Sequence, residues 1–296
     1  MKSNKQQLFL GIDGGGSKCK AVILNTSMQV LGEGTSGAAN PFHNLERAQQ
    51  SISHAADLAL ADANLDVSLK SELIAGIGLA GVNLPKYFSL MEQWQHPFKT
   101  MHLATDLHIA CLGAHGGEDG AIMITGTGSC GYATVKGESL VIGGHGFPHG
   151  DVCSGAWLGF KAVEKVLLSF DGLINETLLT EKLFTALNCT DSNTLIETIA
   201  GEGATFYAKL AISVFDSADE GDEIAKAIIN EGCQYFEAVF YKLMAMKPTR
   251  LSLIGGLKPR LMEWLSSAVV EQISEPENPP EIGAVLFAMN EQNTNA

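Results

Sequence analysis

The chain has 296 residues, 46% hydrophobic and 18% charged, with a formal net charge of −14. That balance describes an ordered globular protein long enough for two domains, and excludes a disordered one. The acidic surplus disfavours general binding to nucleic acid or to an anionic lipid surface, but leaves room for a local cationic pocket around a phosphorylated ligand.

In chain order, apolar runs at 7–12 and 19–24 predict two buried strands, and 29–34 a third after the turn "NTSMQ". The first apolar run stops at Asp13, too short for a signal peptide. From Asn44 to Ala63, Leu45, Ala48, Ile52, Ala55, Ala59 and Ala63 recur near the helical period. "ELIAGIGLAG" is a strand running into glycines, and "TMHLATD" a strand followed by a helix from about Leu107. At Gly116-Gly117 the pattern restarts. "GAIMITGTGSCGYATV" reads as strand, glycine turn and strand, and "ESLVIGG" as a third strand. A mainly helical region follows from Asp151 to Met246. "RLSLIGGL" is a late strand, and the chain is expected to be helical again from Lys258, with a last helix at about Ile282 to Asn290 started by Pro279 and Pro280.

No stretch of about 18 apolar residues exists, so no membrane span is expected. The six cysteines include no C-x-x-C pair and read as free thiols in a reducing compartment, which makes a cytoplasmic protein the expectation.

A shift of the first hairpin by 112 residues places Ile12 on Ile124, Gly14 on Gly126, Gly16 on Gly128, Ser17 on Ser129 and Ala21 on Ala133. Both copies lie between a first and a second strand, and both open a run of three. The reading is a duplicated α/β domain.

Two glycine patterns resemble dinucleotide fingerprints without meeting their terms. "GTGSCG" is followed by a strand where a helix must open, and "GIGLAG" lacks the acid some 20 residues on. Gly11 to Lys18 ends Ser-Lys where a P-loop needs Lys-Ser. His145 and His149 share a loop rich in glycine and proline, so they do not read as a zinc pair.

The two turns admit two readings. Either the glycines supply a tight turn that needs positive φ, or they expose backbone N–H groups that a phosphate can approach. Their pairing in a duplicated domain favours the second. Ser17, Thr127 and Ser129 would add hydroxyl donors and Lys18 a charge. Asp13, at the end of a buried strand, is either a turn residue or a carboxylate for hydrated Mg²⁺. Asp106 is expected to cap the helix it precedes, and also lies at a strand's carboxyl end, where it could accept a proton from an attacking hydroxyl.

The ordered set "DGGGSK", "SGAANP", "GLAG", "TD", "GTGS", "GGHG…GD" and "LIGG" resembles the sugar kinase, actin and heat-shock ATPase superfamily, and within it the N-acetylglucosamine kinase group of the BadF/BadG/BcrA/BcrD ATPases. The resemblance covers nearly the whole chain, and bacterial glucosamine kinases match it best. It implies two ribonuclease H-like (actin-like ATPase) α/β domains, each a mixed sheet flanked by helices, with a cleft between them. The expected division is residues 1–115 completed by a C-terminal helix at 281–292, and 116–280 with a helical insertion.

The resemblance also implies roles. Asp13 would sit near Mg²⁺, with Gly14, Gly15, Gly16, Ser17, Lys18, Gly126, Thr127, Gly128 and Ser129 around the phosphates of ATP. Gly255 and Gly256 would contact adenosine. Asn40, Thr127, Gly144 and Asp151 would line the sugar site, and Asp106 would be the general base.

The chain departs from the family pattern at Val152 and Cys153, which stand for Glu and Gly in "GDEGS", at Ala80, which stands for a serine, and at His145, which stands for an aromatic. The resemblance implies that all three departures lie in parts that would form the sugar pocket. The expected activity is ATP-dependent phosphorylation of glucosamine. N-acetylglucosamine is the rival substrate. An activator ATPase with an iron–sulfur cluster, using Cys130 and Cys153, is the rival class, and a sugar-sensing regulator is disfavoured by charge. The partners are an amino sugar and ATP, with a homodimer left open.

Overall fold

The computed structural model describes residues 7–294, and they divide into two compact units. The first holds residues up to Gly120 together with those from Glu275 onward; the second is Ala121–Ser274.

The first unit opens with β1 (Leu8–Gly14), β2 (Cys19–Asn25) and β3 (Val30–Ser36). Helix α1 (Leu45–Asp62), β4 (Ile74–Leu79), α2 (Pro85–Glu92), β5 (Thr100–Thr105) and α3 (Asp106–Ala114) follow. The sheet order is β3-β2-β1-β4-β5. The hairpins β1–β2 and β2–β3 are antiparallel, and β1, β4 and β5 are parallel. Asn44 caps α1 by accepting from the Arg47 N–H at 2.9 Å. The helix then buries Ala48, Ile52, Ala55, Ala59 and Leu60 on a face built from Leu10, Ile12, Ile23 and Ile77.

The second unit repeats the plan. Strands β6 (Gly120–Thr125), β7 (Ser129–Val135) and β8 (Glu138–Gly143) come first. Helices α4 (Gly155–Phe170), α5 (Leu178–Leu187), α6 (Ser192–Ile199), α7 (Ala204–Lys209), α8 (Ala211–Asp219) and α9 (Glu223–Met244) precede β9 (Leu251–Ile254). Two short helices, α10 (Lys258–Leu261) and α11 (Ser267–Val270), lead to β10 (Ile273–Ser274). The order β8-β7-β6-β9-β10 is again third-second-first-fourth-fifth. Trp157, Phe215, Phe236, Phe240 and Leu253 fill its core.

Helix α12 (Pro280–Thr294) belongs to the first unit, where Ile282, Val285 and Ala288 cover Phe9, Val22, Leu24 and Ile74. It lies very close to the strands. Gly11 and Gly76 are register partners on β1 and β4, and a Cβ on either would collide with the carbonyl oxygen of Glu281 or Ala284.

Two expectations are corrected. Asp106 does not cap α3: the Thr105 hydroxyl accepts the His108 N–H at 3.2 Å, and Asp106 is the first helical residue. The chain after Lys258 is not one helix but two short ones and a two-residue strand, β10, which pairs in parallel with β9.

Candidate active site

Three backbone groups of the first glycine turn are tied inward as acceptors. Gly14 O accepts from Ala80 N at 2.9 Å, Gly15 O from Ala39 N at 2.9 Å, and Lys18 O from Gly15 N at 2.9 Å. The N–H groups of Gly16, Ser17 and Lys18 have no acceptor among the described residues, and all three residues are exposed. None of Gly14, Gly15 and Gly16 has positive φ, so the tight-turn reading does not account for them. Gly14 is required by packing, since a Cβ there would strike Leu79. Gly16 has nothing within 4 Å of the Cβ position. The absence of a Cβ at Gly16 therefore leaves open space beside these N–H groups, where an anion can approach.

In the second turn the carbonyls from Gly126 to Gly128 are all bonded. Gly126 O accepts from Gly155 N at 2.8 Å, Thr127 O from Ala156 N at 3.2 Å and Gly128 O from Gly126 N at 2.9 Å. The first N–H groups of α4 thus hold the turn's carbonyls, and the Thr127 and Gly128 N–H groups remain without an acceptor among the described residues. Gly126 and Gly128 also lack positive φ. Ser129 differs from its expected part: its hydroxyl donates to Val152 O at 2.7 Å, and its N–H goes to the Asp151 carboxylate. Thr125 Oγ1 donates to Cys153 O at 2.9 Å. These two hydroxyls latch the 151–153 loop beside the turn.

Asp151 and Cys153 both have positive φ, 59° and 68°. The Asp151 carboxylate accepts from Gly146 N at 3.3 Å, and burial raises its pKa. Gly144, with φ of 67°, is exposed on the same loop, and its N–H reaches Ser129 O at 3.0 Å. Gly255, also with positive φ, presses against the Thr125 carbonyl, and Gly256 has open space around it. Both glycines therefore border the second turn.

In the first unit, β1, β4 and β5 run parallel, so their carboxyl ends share one edge. Asp13, Ala80 and Asp106 all stand at that edge, where open α/β sheets bind ligands. The Asp13 pKa is pushed up to about 6, first by burial, then by Glu281 and Asp106, against the pull of Lys18 and Lys20. Burial also raises that of Asp106, whose Oδ1 accepts the Leu107 N–H at 2.9 Å. The Asn40 Oδ1 takes the Phe42 N–H at 2.9 Å and abuts Gly81, while its Nδ2 has no acceptor among the described residues.

Glu281 was not legible as part of this group. It is buried, 261 residues from its partner Lys20, which donates to it at 2.8 Å. Its only sequence signal is an acid in the first turn after Pro280, which any helix start favours.

No group of three or more His, Cys, Asp or Glu side chains able to hold a metal ion occurs among the described residues. A magnesium ion does not need one, because it keeps waters and uses one or two carboxylates plus substrate phosphates. Asp13 fits that donor set. Of the two cluster candidates, Cys153 is buried and Cys130 half-buried.

Twin sheets of one strand order, each with a glycine turn after its first strand, define a two-unit α/β fold of the actin-like kind. The chain belongs to the BadF/BadG/BcrA/BcrD ATPase family, whose pattern matches residues 10–288. It is 34% identical over 280 residues to glucosamine kinase GspK of Vibrio cholerae, spanning 95% of each chain. It is 28% identical over 319 residues to the N-acetyl-D-glucosamine kinase of Dictyostelium discoideum, spanning 96% of this chain and 98% of that one. A solved Chromobacterium violaceum structure, assigned as an N-acetylglucosamine kinase, superposes with a TM-score of 0.88 at 27% identity, covering 96% of this chain and 99% of that one. No helix among the described residues is long and apolar enough to cross a membrane.

Proposed function

We propose that this chain transfers the γ-phosphoryl group of Mg–ATP to the 6-hydroxyl of glucosamine. The observation that carries the reading is the set of turn N–H groups without an acceptor among the described residues, those of Gly16, Ser17, Lys18, Thr127 and Gly128, which suit an acceptor-only ligand such as a polyphosphate. The relative at 34% identity supports glucosamine as the sugar.

In this reading the turn N–H groups and Lys18 neutralise phosphate charge, and Gly255 and Gly256 contact the adenosine, with open space at Gly256. Asn40, Thr127, Gly144 and Asp151 hold the sugar. Asp106 accepts the proton of the attacking hydroxyl as the new O–P bond forms and the bond to the β-phosphate oxygen breaks, releasing ADP. Asp13 would hold a hydrated Mg²⁺ through water, and the ion would supply charge neutralisation for the phosphates. Catalysis here is positioning and charge neutralisation, which these parts supply.

The test is a coupled ADP-release assay across glucosamine, N-acetylglucosamine, glucose and mannosamine. Glucosamine should give the highest kcat/KM. A preference for N-acetylglucosamine would transfer the chain to the activity named for its Dictyostelium relative. Release stimulated by no sugar would overturn the kinase reading.

A further inference from the structure

A cation stands where it ought to neutralise Asp13. Lys20 is the direct register partner of Asp13 across the β1–β2 hairpin. Both side chains therefore project from the same face, with Cβ atoms roughly 5 Å apart. Opposite charges so placed form a cross-strand ion pair by default. Lys20 instead turns to Glu281, donating to Oε1 at 2.8 Å, and no ion pair joins it to Asp13 among the described residues.

Glu281 is held firmly enough to win that competition. Its carbonyl lies against the Gly11 Cα, its side chain is 8% exposed, and it occupies the first turn of α12, where the helix dipole favours an anion. The remaining charges near the pair are Lys18 on the exposed turn, Asp106 on α3 and Glu33 on β3.

We propose that Glu281 is a positioning residue: it draws Lys20 away from Asp13, so that the Asp13 carboxylate stays available to the hydrated cation that accompanies the nucleotide. The proposal rests on the part given to Asp13 under the proposed function. Without the Glu281 charge, Lys20 swings to Asp13 and competes with the divalent ion directly.

The experiment is calorimetric binding of ADP, with and without Mg²⁺, to the whole chain and three variants, each checked for folding by thermal denaturation. In the parent, Mg²⁺ tightens ADP binding. Glu281→Gln should keep the metal-free affinity but lose about tenfold of the Mg²⁺-dependent gain, the scale on which a directly paired cation alters a carboxylate. Lys20→Met breaks the same bridge and should keep the gain. Glu281→Gln combined with Lys20→Met should recover it. A purely structural bridge predicts the reverse, with Lys20→Met as damaging as Glu281→Gln and no recovery in the double variant. That pattern, or an undiminished gain in Glu281→Gln, overturns the proposal. A parent whose ADP affinity ignores Mg²⁺ would instead remove the reading of Asp13 on which it rests.

Discussion

Asp13 and Asp106 are both held toward their neutral forms, yet the proposed chemistry needs each as an anion. For Asp106 the cause is burial, and a raised pKa makes its carboxylate a better proton acceptor. Asp106→Asn should lower kcat by about 10²- to 10⁴-fold while leaving ADP affinity intact, measured by coupled assay and calorimetry. Asp13, pushed up to about 6, links activity and stability in opposite senses. Its folded pKa exceeds the ordinary value, so its protonated form stabilises the fold. That contribution is complete below the ordinary carboxylate range and is lost as pH rises through about 6. Asp13→Asn should therefore raise Tm at pH 8, lose that advantage at pH 4, and abolish Mg²⁺-dependent ADP binding. In the parent, activity should fall on acidification through about pH 6 when Mg²⁺ is scarce, and the limb should move to lower pH as Mg²⁺ rises, because a cation favours the carboxylate. A limb that ignores Mg²⁺ would detach Asp13 from the metal. At this scale the sequence disclosed residue types and their strand ends, but not partners. Ser129 looked like a phosphate donor and proves to hold the Val152 carbonyl. Cys153 looked like a simple departure from glycine and proves to sit at a φ of 68°, a backbone state that glycine adopts most readily.

Among elements, the glycines divide into those that packing requires and those that it does not. Gly76 lets α12 lie on β4, and a Cβ there would strike the Ala284 carbonyl, which is backbone and cannot swing aside. Gly16 faces open space. Gly76→Ala should cost about 1–3 kcal/mol in urea denaturation, the usual penalty of overpacking. Gly16→Ala should leave stability within about 0.5 kcal/mol, as surface changes do, yet raise the KM for ATP. Equal stability losses in the two would refute this division. The strands were legible because apolar runs bounded by glycine or polar turns have few other uses. Helix α1 was legible because its alanines and leucines keep the helical period. The region after Lys258 was not, since α10, α11 and β10 are each too short to carry a period. Nor was the cap of α3, because Thr105 and Asp106 are adjacent and either residue type can cap.

At the scale of the molecule, the repeat seen at a shift of 112 residues is realised as two sheets of one strand order. Half of a hairpin's identities sufficed to detect it because a glycine turn tolerates few substitutes. What the shift could not disclose is how each sheet is covered. The first depends on α12, which returns from the far end of the chain to bury Phe9, Val22, Leu24 and Ile74. Burial of one such side chain contributes roughly 1.5–3 kcal/mol, so uncovering four removes about as much as the whole net stability of a domain, roughly 5–15 kcal/mol. A chain ended after Ser274 should therefore lose the cooperative unfolding of its first unit and bind a hydrophobic dye at neutral pH. Its second unit keeps every residue of Ala121–Ser274, so limited proteolysis should trim the truncated chain toward that segment. A truncated protein that melts in one transition at the parental Tm would mean that α12 is an accessory and that the five-stranded sheet stands without it. The nucleotide prediction follows from the same geometry. Asp13 lies on β1 of the unit that α12 covers, so any ADP binding that survives in the truncated chain should no longer respond to Mg²⁺.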